Sequence, residues 1–180
     1  MANTFLLVKG FNIGKSLVEK ELIETINKIL TKAINYNCNI ILPTDVVCSN
    51  DLNDSINIRH SDLNDILPNQ MIHDIGNKTI QIITKTLLSS NMILWNGPLG
   101  AFEYKPFNYA TIEIAKTIKK NAKLRNIITL AGGGDTISAI KMAKSEEGFS
   151  YISKAGGAFL EWLKGNKSPG LKALKENKVS

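Results

Sequence analysis

A chain of 180 residues with 43% hydrophobic and 21% charged residues can build one domain with a proper core, and is too short for two large ones. No segment approaches the uninterrupted apolar length of a membrane span, and Met1 to Phe5 lacks the basic, apolar, small-residue order of a secretory signal. The reading is a cytoplasmic protein with no membrane role. The formal charge of +6 is carried almost wholly by lysine. Lys116, Lys119, Lys120 and Lys123 are scattered along one helical stretch without interleaved aromatics, which argues for solvated helix faces and against nucleic acid. Cys38 and Cys48 border apolar runs and are expected as buried, reduced thiols; with His60 and His73 they match no familiar zinc spacing.

Ser16-Leu17-Val18-Glu19 has the form of a capping box. It predicts a helix from Ser16 with an apolar stripe of Leu17, Leu22, Ile26, Ile29, Leu30 and Ala33, closed by Asn35 to Asn39. Cys38 to Leu42 reads as a buried strand stopped by Pro43, and Val46-Val47-Cys48 as a second extended piece. Residues 49–70 are polar, rich in Asn and Asp, and read as an insertion-like excursion with a short hairpin near Ile56 and Ile58. A helix is predicted from Gly76 or Asn77 through Ile80, Ile83 and Leu87. Then follow a strand at Met92 to Trp95, a helix at 107–120, a strand at Asn126 to Ala131 and a helix at Thr136 to Lys144. The series ends with a strand at Phe149 to Ile152, a helix at Ala158 to Lys164, and a short helix after Pro169-Gly170 carrying Leu171 and Leu174. Strands alternating with helices predict an α/β, doubly wound, Rossmann-like parallel sheet with helices on both faces, its ligands at the carboxyl ends of the strands. With no internal repeat and no dividing linker, residues 1–180 read as one domain.

Glycine turns stand at those ends: Asn96-Gly97-Pro98 within Trp95 to Glu103, Gly132-Gly133-Gly134-Asp135-Thr136, and Ala155-Gly156-Gly157-Ala158 after Ser153-Lys154. The last two each open a predicted helix, whose first N–H groups are unpaired and can face a phosphate. Two nucleotide motifs are nearly matched and fail. Gly10 to Ser16 resembles a Walker A loop but has three residues between its glycines where four are required, so it reads as a turn and helix cap. Ile137 stands where a dinucleotide fingerprint after Gly132 needs its third glycine. Asp135 reads locally either as a plain N-cap or as a carboxylate for Mg²⁺ on a bound nucleotide.

Taken together and in order, these blocks resemble phosphoglycerate kinase. Met1 to Phe5 with Gly10 to Gly14, Leu42 to Val47, Asp74-Ile75-Gly76, Trp95 to Glu103, Gly132 to Thr136, Ser153 to Ala158 and Pro169 to Leu174 carry the likeness from end to end. The resemblance implies the carboxyl-terminal, nucleotide-binding domain of that family, incomplete at its amino-terminal end. It implies phosphoryl transfer between 1,3-bisphosphoglycerate and MgADP in glycolysis, with ADP or ATP and Mg²⁺ as ligands. Asn96, Gly97 and Pro98 would line the nucleotide site and Glu103 would accept from the ribose hydroxyls. Gly132, Gly133, Gly134, Asp135 and Thr136 would hold the phosphates and, through Asp135, the metal. Gly156 and Gly157 would start the helix aimed at the transferring group, the catalytic element. The chain departs from the family at His73, where an apolar residue usually lies beside the adenine, at Asn77, which replaces a proline, and at Lys154, which replaces a threonine.

The family's amino-terminal domain with its basic phosphoglycerate site, the first strand of the nucleotide domain and a glycine run before Met1 have no counterpart in these residues. The chain is therefore expected to transfer phosphate poorly or not at all alone, and to meet 3-phosphoglycerate or 1,3-bisphosphoglycerate only where an amino-terminal domain is supplied. Alternative readings are a noncatalytic nucleotide-binding remnant, one half of a split enzyme, or the product of a decaying gene. Full-length members are usually monomeric, whereas a sheet edge without its neighbours predicts self-association here.

Overall fold

A computed structural model describes residues 1–54, 56–154, 157, 160, 161, 164 and 165. They fall into two units, Met1–Ser89 with Leu99–Ile114, and Ser90–Pro98 with the residues from Ala115 on.

In the first unit, helix Ala2–Val8 (α1) packs on helix Ile23–Asn35 (α2), which is entered through a 3-10 turn at Lys20–Leu22. The helix foreseen at Ser16 therefore starts seven residues later at Ile23, and the capping box does not form. The Ser16 hydroxyl is spent otherwise: it donates to the Ile13 carbonyl at 2.5 Å and accepts the Ile72 N–H at 2.9 Å. Of the predicted stripe only Ile26 is buried within α2, and Ile29 is largely exposed. The near-Walker segment is a turn, as read, but caps no helix. Gly14 has φ +58°, Lys15 N–H donates to the Gln70 carbonyl at 2.7 Å, and a Cβ on Gly14 would overlap that carbonyl.

Cys38 to Leu42 forms neither helix nor strand, and Cys38 is exposed, against the expectation of a buried strand and thiol. Its apolar residues are half-buried, and Leu42 packs on the core, but no neighbouring strand pairs with it among the described residues. Asp45–Ser49 (β1), which contains the buried Cys48, is the central strand of an antiparallel sheet. Arg59–Asp62 (β2) lies on one side, Asp62 opposite Asp45, and Met71–Ile75 (β3) on the other. The polar excursion is thus a hairpin connection whose return strand, Arg59–Asp62, follows the Ile56 region. Leu6, Ile13, Val46, Cys48, Leu63 and Ile66 form the core beneath this sheet. Helix Asn77–Ser89 (α3) begins where predicted and packs on β1.

The second unit is the alternating part of the chain. Strands Met92–Trp95 (β4), Ile128–Gly132 (β5) and Tyr151–Ser153 (β6) pair in parallel in the order β4-β5-β6. Helix Tyr109–Ala122 (α4) leads from the first unit into the second and precedes β5; helix Gly134–Met142 (α5) precedes β6. Each lies within two residues of its predicted limits; α4 both starts and ends two residues later than predicted. The chain is a mixed α/β protein whose parallel three-stranded sheet is flanked by helices, as the sequence implied; the antiparallel sheet of the first unit was not foreseen. The predicted helices at Ala158 to Lys164 and after Pro169 lie, wholly or mostly, outside the described residues.

Candidate functional site

Because β4, β5 and β6 run in parallel, with Trp95 beside Ala131 and Gly132 beside Ser153, the turns that follow them leave from one end of the sheet. Two of these turns are joined directly. Gly97 N–H donates to the Thr136 hydroxyl at 2.7 Å, thirty-nine residues away. The Trp95 indole N–H closes the first turn onto the Gly97 carbonyl at 2.5 Å, and the indole lies 6.0 Å from the Phe149 ring, tilted by 36°. Gly97 has φ +111° and Gly133 φ +101°, a left-handed region that side chains with a Cβ rarely adopt. A Cβ on Gly133 would also come within 3.4 Å of Asn96 Oδ1 and 3.5 Å of Thr136 Oγ1, so both turns close on this one residue.

Gly133 is the N-cap of α5 and makes no side-chain cap. Ile137 N–H is the first to bond back, to the Gly133 carbonyl at 3.0 Å. The N–H groups of Gly134, Asp135 and Thr136 thus form the open end of the helix, where its dipole favours an anion. Gly134 is exposed, and a Cβ there would meet nothing within 4 Å. Asp135 is in the first turn and exposed, and among the described residues its carboxylate has no hydrogen bond or ion pair. The plain N-cap reading of Asp135 is thereby removed. Thr136 is 1% exposed, its hydroxyl turned to Gly97. A lone exposed carboxylate beside free N–H groups fits Mg²⁺ carried on phosphate, since that ion keeps several waters and needs one or two protein oxygens. No group of three His, Cys, Asp or Glu that could cage a metal occurs among the described residues.

Of the third turn, Lys154 and Gly157 are exposed; Ala155, Gly156 and Ala158 lie outside the described residues. Glu103, Pro98's companion in the same motif, belongs to the first unit and is an exposed residue of the turn before α4. That turn is held by groups to which the sequence reading gave no such role. Ala101 N–H donates to the His73 carbonyl at 2.8 Å and Leu99 N–H to the Thr111 hydroxyl at 3.0 Å. Asp74, 2% exposed, accepts Ala110 N–H at 3.0 Å, at the start of α4, and Ile75 N–H at 2.9 Å. Burial pushes its carboxyl up to about 7, against the opposing effect of those two bonds. A Cβ on Gly100 would overlap the same carboxyl group.

His73 lines a cavity of about 330 Å³ in the first unit with Asn3, Ser16, Leu17, Met71 and Tyr104. Its ring is 4.7 Å from that of Phe107, tilted by 41°, and among the described residues Nε2 is buried with no partner. Burial lowers its pKa below the usual 6.5, the nearby Asp51 and a bond to the Ser49 backbone opposing, so the imidazole is neutral at pH 7. Asn77, the other departure, is the first residue of α3. The carboxylate that serves this helix start comes from β1. Asp45 accepts the Thr79 hydroxyl at 2.6 Å, Thr79 N–H at 2.8 Å and Lys78 N–H at 2.9 Å.

The model for phosphoglycerate kinase matches residues 1–166. The chain belongs to the phosphoglycerate kinase family. It is 44% identical over 174 residues to the phosphoglycerate kinase of Zymomonas mobilis and 48% over 177 residues to that of Orientia tsutsugamushi, in each case over 97% of its own length. The structure of phosphoglycerate kinase from Coxiella burnetii superposes with a TM-score of 0.90 at 34% identity, over 98% of this chain. That from Pyrococcus horikoshii does so with 0.78 at 30% identity, over 97%. The chain spans 43–44% of the length of these relatives. Among the described residues no helix is long and apolar enough to cross a membrane.

Proposed function

We propose that these residues are the nucleotide side of a phosphoglycerate kinase, taking part in phosphoryl transfer between 1,3-bisphosphoglycerate and MgADP to give 3-phosphoglycerate and MgATP, a cytoplasmic step of glycolysis. The observation that carries this reading is the closed pair of glycine turns, Gly97 on Thr136, beside the unpaired carboxylate of Asp135. Main-chain N–H groups of Gly134, Asp135 and Thr136 hold nucleotide phosphates, and Gly132 and Gly133 let them approach. The Thr136 hydroxyl, spent on Gly97, fixes the shape of the cradle. Asn96, Gly97 and Pro98 form its wall. By the family resemblance Gly156 and Gly157 would serve the transferring phosphoryl group, where positioned donors stabilise charge on its oxygens. Asp135 would hold Mg²⁺ through the nucleotide, an ion that when bound would further neutralise that charge.

The acceptor side is assigned to the part of the family's length that these residues do not span, so the 180-residue chain alone transfers phosphate slowly or not at all. Ordinary turnover by the purified chain in a coupled assay would overturn that. The binding claim is tested by titration calorimetry with ADP. Wild type binds more tightly with Mg²⁺ than with EDTA, and Asp135→Asn removes the difference while leaving the metal-free affinity. No binding, or binding indifferent to Mg²⁺ in wild type, refutes the assignment.

A further inference from the structure

Among the asparagines of this chain only Asn96 is followed by glycine. An asparagine so placed is open to attack by the next main-chain nitrogen, because glycine has no Cβ to hinder the approach. Asn96 is exposed and stands just past the end of β4. Gly97, which carries the attacking nitrogen, is tied by both of its main-chain groups. Its N–H donates to the Thr136 hydroxyl at 2.7 Å, and its carbonyl accepts the Trp95 indole N–H. The Asn96 side chain lies against the start of α5, where a Cβ on the N-cap Gly133 would stand 3.4 Å from Asn96 Oδ1.

We infer that Asn96-Gly97 is a site of spontaneous deamidation and that the Thr136 hydroxyl guards it. In the reaction the Gly97 N–H proton passes to water, the nitrogen bonds to Asn96 Cγ, and the Cγ–Nδ2 bond breaks with release of ammonia. Water then opens the resulting imide at either carbonyl, leaving aspartate or isoaspartate at position 96. Nothing is oxidised or reduced; water is consumed and ammonia released. The imide nitrogen carries no hydrogen, so the ring cannot form while Gly97 N–H stays on Thr136. Opening that bond strands the hydroxyl of a residue only 1% exposed, which holds the nitrogen in place. A new carboxylate at position 96 would sit beside the open N–H groups of α5, where the dipole favours an anion, and would compete with phosphate. That consequence rests on the nucleotide reading; the deamidation and its guard do not.

The test incubates the full chain, folded at neutral pH, and follows the peptide containing Asn96 by mass spectrometry. Wild type should deamidate there more slowly than the same chain unfolded in guanidinium chloride. Thr136→Val should raise the folded rate about tenfold, the factor that one hydrogen bond's net worth makes in a rate, and Thr136→Ser should keep it at the wild-type value. Gly76→Ala, whose clash with Asp45 lies in the first unit, should leave the Asn96 rate unchanged and so separates local opening from general loosening. The product should include isoaspartate, which direct hydrolysis of the side chain cannot give. A wild-type rate equal to that of the unfolded chain, no rise in Thr136→Val, an equal rise in Gly76→Ala, or aspartate alone overturns the inference. In calorimetry Asn96→Asp should weaken ADP binding about tenfold, as a like charge close to phosphate does at a protein surface. Unchanged affinity refutes the competition with phosphate. Failure of wild type itself to bind ADP refutes the nucleotide reading, and the rates still decide on the guard.

Discussion

Gly76→Ala should cost far more stability than a glycine-to-alanine change at a helix entrance ordinarily does. Gly76 has no left-handed φ, so alanine fits its backbone. Its Cβ, however, would fall inside the Asp45 carboxylate, with even the more distant oxygen, Oδ1, only 2.9 Å away. That carboxylate cannot swing clear without leaving Thr79 Oγ1 and the N–H groups of Lys78 and Thr79, which open the first turn of α3. Loss of a capping side chain costs about 1 kcal/mol, and net bonds to an ionised acceptor about 1.5–3 kcal/mol each when their donors stay buried. Lys78 N–H is exposed and can rehydrate, and the Thr79 hydroxyl can turn to the Asp45 carbonyl, 3.1 Å away, so the sum is far from additive. The expected loss is roughly 2–3 kcal/mol, a fall of about 1 M in the urea midpoint for an ordinary m-value. In an Asp45→Ala background the clash disappears, and Gly76→Ala should be neutral or stabilising by about 0.5 kcal/mol through the unfolded chain. pH supplies a second handle. Burial raises the Asp45 pKa, but the Thr79 and Lys78 bonds outweigh it and hold the group below 3.8. The stability it contributes is therefore present above about 3.8 and lost as pH falls through the folded value, so the cost of Gly76→Ala should shrink in acid. Equal costs of Gly76→Ala in both backgrounds at neutral pH would refute the reasoning.

Asn77→Pro should raise the urea midpoint by the equivalent of about 0.5–1 kcal/mol, because Asn77 is the first residue of α3, where proline's fixed φ suits the helix and its missing N–H costs nothing. Asp74 acts in the opposite sense to Asp45. Its folded pKa of about 7 lies above the unfolded 3.8, so its contribution is fully present below 3.8 and is lost as pH rises through about 7. Asp74→Asn, whatever constant offset the lost acceptor brings, should flatten the decline of stability measured by urea unfolding between pH 5 and 8; an unchanged slope would count against this. Thr136→Val keeps the side-chain volume but strips the acceptor from Gly97 N–H, and should lower stability by about 1–2 kcal/mol and weaken MgADP binding in calorimetry. Thr136→Ser should restore both.

The second unit was legible because buried parallel strands read as short apolar runs, and each run here stops at a glycine turn. Met92 to Trp95 was found to the residue, and the other elements shifted by about two where helix ends fray. The first unit was less legible. Arg59-His60-Ser61-Asp62 has no apolar residue, yet pairs with β1 as an edge strand, so no periodicity could reveal it. Cys38 to Leu42 has the right composition and no strand beside it, and composition cannot supply a neighbour. Ser16 carries a correct local signature, but Ile72 N–H, fifty-six residues on, takes the hydroxyl.

By itself the sequence determined which segments bury, which glycine turns follow them and in what order, and hence the family, because burial periodicity and φ-permissive residues are local properties of the chain. Only the tertiary structure decided which polar group meets which: Gly97 with Thr136, Asp45 with Thr79, Asp74 with Ala110. Partners separated by 34 to 39 residues become neighbours only when the chain between them reverses, and a hydrogen bond forms only if that reversal brings them to about 3 Å. It also left the Asp135 carboxylate without a partner among the described residues, since whether a group finds one depends on everything folded around it.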